Sequence, residues 1–181
     1  MARNKAAKAA KTGKATARSK AAAKKPAKKP AKSARAKKVQ PIPAGYRTVT
    51  PYLVVKGVAR LIDFLKAAFD AREKFRSTMP DGTVMHAEIK IGDSMIMLGE
   101  ASDNHTPTTA MVYLYVKDTD KMYHQAIKAG AESVMAPANQ FYGDRNAGVK
   151  DQNGNQWWIG THVEDVSPKE IQRRMASMKG A

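Results

Sequence analysis

The chain has 181 residues, with 32 Lys and Arg against 16 Asp and Glu, and no Cys. The lack of cysteine excludes disulfides and thiolate metal sites and fits a reducing compartment, which points to the cytoplasm. No apolar run nears the roughly 18 residues a membrane span needs, and the N-terminus has no apolar secretory core, so no membrane association is expected.

Residues 1–40 come first and hold 15 of the 32 basic residues with no acid, leaving 17 basic and 16 acidic residues for 41–181. The high positive charge therefore belongs to a tail. Met1 and Val39 are its only bulky apolar residues, so it has nothing to bury and is expected to be disordered when free. In "AKKPAKKPAKSARAKK" (23–38) the cations Lys24, Lys25, Lys28, Lys29, Lys32, Arg35, Lys37 and Lys38 are spaced to neutralise phosphates. Such binding to DNA or RNA is sequence-independent and salt-sensitive, and without interleaved aromatics it includes no base stacking. The stretch is similar to the tails of H1-type histones and of bacterial histone-like proteins, which implies a nucleoid association. The plainer reading is a solubilising extension or a targeting-like leader.

Residues 41–181 have the size of one domain. "TVTPYLVV" (48–55) is β-branched and aromatic, hence a strand. "VARLIDFLKAAF" (58–69) places Leu61, Ile62, Leu65 and Phe69 at helical spacing. Strands "REKFRST", "VMHAEIKI" and "SMIMLG" follow, separated by Pro80-Asp81-Gly82 and Gly92-Asp93 turns. The order then repeats as "MVYLYVK", a helix over 119–129, a short strand near Glu132–Met135, a loop "PANQFYGDRNAG", "VKD" and "NQWWIGTH". Ser167, Pro168 and Glu170 mark the start of a last helix over 168–178, with Ile171, Met175 and Met178 as a docking stripe.

The repetition is a duplication. Tyr52, Leu53, Val55 and Lys56 recur as Tyr113, Leu114, Val116 and Lys117, and Gly92 recurs as Gly154. The chain thus carries two copies of one β-α-β-β-β module, at 46–100 and 111–162. Tandem modules of this kind, with "MHAEIKIGDSMIML" and "QFYGDRNAGVKDQNGNQWWIGTHVEDVSPKEIQRR", resemble the vicinal oxygen chelate superfamily of glyoxalases, bleomycin-resistance proteins and dioxygenases, and within it the PhnB-like group. The resemblance implies an α+β fold in which the paired modules form an open, curved mixed sheet around a cavity. It also implies a homodimer and a small-molecule ligand.

Metal-using members place a His or Gln on the first strand of each module and a Glu on the last. Thr50, Pro51, Tyr52, Met111, Val112 and Tyr113 stand at the first places here, and Ile96, Met97, Trp157 and Trp158 at the last. None is a ligand for a divalent ion, so no cofactor is expected at the usual site. A displaced divalent metal would draw on His86, Glu100 or His162. Glu100 and His162 lie 62 apart and are read as equivalent strand ends. His86 and Glu88 share one strand face and are the catalytic candidates, opposite an apolar face of Met85, Ala87, Ile89 and Ile91. Tyr52, Tyr113 and Trp158 are expected to wall a ligand cavity, with Arg145 of "FYGDR" as a clamp for an anionic group. Of the adjacent tryptophans, one is expected under a helix and one in the cavity.

Three functions compete on this reading. One is a metal-free small-molecule binder with a nucleic-acid-binding tail. Another is a lyase or isomerase with a displaced metal. A nucleoid-associated dimeric scaffold is the third.

Overall fold

The structure of the protein, a computed structural model, describes residues 39–178. The expectations for the tail, including its cations Lys24 to Lys38, lie outside the described residues. The first module runs β1 (Tyr52–Val55), α1 (Val58–Phe69), β2 (Arg72–Thr78), β3 (Val84–Ile91) and β4 (Ser94–Glu100). The second runs β5 (Met111–Tyr115), α2 (Thr119–Lys128), β6 (Glu132–Asn139), β7 (Asp144–Lys150) and β8 (Gln156–His162), followed by α3 (Pro168–Met178). Each module forms its own four-stranded mixed sheet, ordered β1-β4-β3-β2 and β5-β8-β7-β6. The first strand of each lies parallel to the last, and the other pairings are antiparallel. This is the α+β architecture of two β-α-β-β-β modules.

The register gives the internal equivalence. Tyr52 pairs with Met97 and Val54 with Gly99, just as Tyr113 pairs with Trp158 and Tyr115 with Gly160. The offset through the last strands is therefore 61. In both modules the tyrosine lies over that glycine: a Cβ on Gly99 would stand 2.6 Å from the Tyr52 Oη, and one on Gly160 2.3 Å from the Tyr113 Oη. Any side chain there would displace the ring.

One face of each sheet meets the helices. Leu53, Val55, Ala87, Ile89, Ile96 and Leu98 close on Leu61, Ile62, Leu65 and Phe69 of α1, and Ala147, Val149, Trp157 and Ile159 continue the same core. Each fully buried Leu or Ile stabilises by about 1.5–3 kcal/mol relative to exposure. Trp157 takes the helix face, its ring 5.2 Å from Phe69, and donates its Nε1–H to buried Asp151. Asp151 also accepts from the Asn153 and Asn155 amides and from the Asn155 side chain, so the tight turn before β8 is built around one carboxylate. Trp158 falls on the opposite face.

Three local expectations are corrected. Met85 is 39% exposed while Val84 is buried, because Val84 and Met85 bulge where Thr78 and Ser77 pair with Val84 and His86. The stretch read as a loop over 137–148 is mostly a hairpin. β6 extends to Asn139, with Pro137 inside a register shift, where a missing N–H costs no ladder bond, and the turn closes at Gly143, φ 100°. α3 buries none of its residues, and Met175 and Met178 stay 44% and 62% exposed. Arg174 holds it instead, donating to both Glu164 oxygens, to Glu170 and to the Phe141 carbonyl.

Candidate functional site

The sheet faces turned away from the helices carry different chemistry in the two modules. In the first, Tyr52 stacks on His86 with ring centroids 5.7 Å apart, its Oη 3.2 Å from His86 Nδ1. Phe75 tilts against the other side of the imidazole, and Glu88 lies 3.9 Å from its Nε2. His86 and Glu88 are neighbours on one face, as β alternation requires, and both are half-buried.

In the second module the equivalent face is organised by Asp144, which is 4% exposed. Its Oδ2 accepts from Tyr113 at 3.3 Å and from Tyr115 at 3.0 Å, and its Oδ1 lies 2.8 Å from His162 Nδ1. The second His162 nitrogen meets exposed Asp165 at 3.0 Å. Hydrogen bonds to Asp165 and Asp144 raise the His162 pKa above its ordinary value. Burial pushes the Tyr113 hydroxyl upward with Asp144 adding to it, while for Tyr115 the hydrogen bond to Asp144 is the main cause. Asn146, also buried, donates to the Tyr142 hydroxyl, and its Oδ1 has no partner. Sequence reasoning missed Asp144, although alternation along a strand through 144–150 would have put it on the face of Tyr113.

Arg145 lies on the other face. It pairs with Asp120 of α2 through two nitrogens and donates to Asn139 at 3.1 Å. On the helix side of the sheet Arg145 braces β7 against α2. Trp158 lies on the face of β8 turned away from the helices, half-buried over Gly148.

The metal candidates do not converge. Glu100 accepts from the Gly57 amide at 2.7 Å and the Val58 amide at 2.9 Å, which caps α1. With the offset of 61, its counterpart is Thr161, which accepts from the Thr119 amide at the start of α2 at 3.0 Å. The equivalence of Glu100 and His162 was thus one residue out, because the register rather than the glycine spacing decides it. His162 has each nitrogen on a different carboxylate, so Asp144 and Asp165 lie on opposite edges of the ring and cannot share an ion with it. Among the described residues no three His, Cys, Asp or Glu are grouped to hold a metal ion. At the usual positions the tyrosine rings cover Gly99 and Gly160 beside Met97 and Trp158, a donor set that does not fit a divalent ion.

An open groove of about 1270 Å³ runs between the end of the first sheet and β5. Tyr113, Tyr115 and His162 form part of its wall, whereas Tyr52, His86, Glu88 and Trp158 lie outside it. The structure thus brings Tyr113 and His162 together and leaves the pair His86–Glu88 on a separate surface.

Residues 47–159 match the model of the Glyoxalase/Bleomycin resistance protein/Dioxygenase superfamily. An uncharacterized protein of Mycobacterium bovis is 36% identical over 140 residues, covering 71% of this chain and 92% of its own. TioX from Micromonospora sp. ML1 shares 25% identity with a TM-score of 0.57, over 64% of this chain and 98% of TioX. The fosfomycin resistance protein FosX from Listeria monocytogenes, solved with Mn(II) and sulfate, shares the fold at 17% identity and a TM-score of 0.51, over 71% of this chain and 97% of its own.

Proposed function

We propose that this chain, which belongs to the Glyoxalase/Bleomycin resistance protein/Dioxygenase superfamily, binds a small organic molecule without a metal and uses its basic tail to stay near nucleic acid. The observation that carries the first part is the groove walled by Tyr113 and Tyr115, beside modules whose usual metal positions hold tyrosine, methionine and tryptophan. Aromatic walls with a few polar groups are what small-ligand sites commonly use. Placement in the PhnB-like group rests on the sequence motifs alone. The test is metal analysis of the purified protein together with titration of an uncharged solvatochromic dye, Nile red. The expected result is dye binding by a protein that holds no stoichiometric metal. A bound metal lost in His86→Ala would replace this reading with a metal-dependent lyase or isomerase.

Fifteen cations without an acid in residues 1–40 support the second part. Deleting residues 1–40 is expected to abolish binding to duplex DNA at moderate salt. Retained binding would move that activity elsewhere in the protein. The cytoplasm, at the nucleoid, is the location this reading implies; no helix among the described residues is long and apolar enough to cross a membrane. A homodimer is the assembly we propose, on the resemblance of the tandem modules to the superfamily. Light scattering on the full chain decides between one copy and two.

A further inference from the structure

The cations of the folded domain are sorted by place. Sixteen Lys and Arg lie between residues 41 and 178. Six of them, Lys66, Arg76, Arg145, Lys150, Arg173 and Arg174, form ion pairs with carboxylates, and none of those six lines the groove. Another six, Arg47, Arg72, Lys74, Lys90, Lys117 and Lys121, line the groove, and none of these makes an ion pair among the described residues. In a domain of nearly balanced charge, that segregation leaves a positive field concentrated in one concavity.

Three acids, Asp70, Asp93 and Asp118, also line the groove, half the number of its cations, and each accepts a hydrogen bond from a neighbour in the lining. Asp70 accepts from the Gln125 side chain, Asp118 caps α2 through the Lys121 amide, and Asp93 accepts from the Ser94 hydroxyl. The groove therefore offers donors and positive charge to a guest, beside the exposed rings of Tyr113 and Tyr115. Its volume of about 1270 Å³ is larger than a single inorganic anion needs. Lysine and arginine on several separate elements suit anionic groups spread over a molecule rather than gathered at one point.

We infer that the groove takes an organic anion bearing at least two phosphate or carboxylate groups, with its body against Tyr113 and Tyr115. The inference rests on the groove being the small-molecule site proposed above. The test is hydrogen exchange with mass analysis on the full chain, using inorganic pyrophosphate as the anion and Nile red as the uncharged probe. Pyrophosphate is expected to protect segments 69–74, 90–96 and 117–121, and Arg72→Gln with Lys90→Gln to weaken that protection at least tenfold in added anion. Lys128→Gln, which removes an unpaired cation outside the groove, is expected to leave it unchanged. Equal weakening by Lys128→Gln would make the effect one of net charge and overturn the inference. So would protection confined to residues 1–40, where the tail alone had bound the anion. Nile red binding without groove protection by pyrophosphate would overturn the ligand class and leave the cavity reading standing. Failure of both probes would remove both.

Discussion

The two modules share strand order, register and the tyrosine over a glycine, yet the side of the sheet turned away from the helices differs between them. In the first, the Tyr52 hydroxyl meets a half-buried imidazole, and Leu53 and Val55 behind it are only 2% exposed. In the second, the Tyr113 hydroxyl meets a buried carboxylate, and Leu114 and Val116 behind it are only half-buried, at the groove. A duplicated backbone therefore leaves each copy free to place its charge and its openings. One copy carries the better-closed core, and the other carries the buried polar hub and the tyrosines of the groove wall.

Substitutions in the two modules sharpen that contrast. The largest effect is expected at Trp157, whose counterpart by the offset of 61 is Ile96. Trp157 is fully buried and donates to Asp151, so Trp157→Ala both opens a cavity and removes one donor from a buried carboxylate. It is expected to cost about 3–5 kcal/mol in urea unfolding, against about 1 kcal/mol for Ile96→Val. Next comes Asp144→Asn, which removes the charge that Tyr113, Tyr115 and His162 share. A cost of about 2 kcal/mol is expected there, while His86→Ala on the more open face of the first module costs about 1 kcal/mol or less. Equal losses at Asp144 and His86 would break the distinction between a hub and a surface cluster.

The outline of this fold was legible because duplication and strand period are local signals. Tyr52-Leu53 and Tyr113-Leu114 fix the copies, and alternation alone sends Trp157 and Trp158 to opposite faces. What failed was whatever needed a register. The Val84–Met85 bulge changed which residue of β3 turned inward, and nothing in its composition marks it. Pro137, Gly143 and two asparagines make 137–148 read as a loop, which assigns no face to Arg145 or Asp144. An offset taken from Gly92 and Gly154 rather than from the strand pairing set Glu100 against His162 instead of Thr161. Candidate residues could be named from chemistry, but whether they met depended on one-residue shifts, and a one-residue shift turns a side chain to the other side of the sheet.

The caps give a smaller and more discriminating comparison. α1 begins at Gly57, which has no side chain to cap it, so Glu100 from β4 supplies both acceptors for its first amides. α2 has its own cap in Asp118, which accepts from the Lys121 amide, and Thr161 adds one more acceptor. Glu100→Ala is expected to cost about 1–2 kcal/mol and Thr161→Val about 1 kcal/mol, both read from thermal unfolding. A larger loss at Thr161 would mean that its bonds to Thr119 and to the Val116 carbonyl hold the second module together more than they cap a helix.

The smallest expected effect concerns His162, the only described histidine with a carboxylate on each ring nitrogen. Its folded-state pKa is raised, first by Asp165 and then by Asp144, above the value of about 6.5 of a free imidazole. Protonation is therefore favoured in the folded protein. The stability it contributes is fully present below about pH 6.5 and is lost as pH rises through the higher folded value. The two carboxylates differ in setting. Asp165 is wholly exposed and Asp144 is buried, so added salt is expected to screen the first and spare the second. An NMR titration of the His162 ring is expected to give a midpoint above 6.5 that falls in high salt without reaching the free value. In Asp144→Asn the remaining shift is expected to vanish in high salt, and in Asp165→Asn to become nearly independent of it. If salt alone returned wild-type His162 to the free value, the Asp144 bond would be no stronger than a surface contact, and the second module would have no polar hub to set against the first.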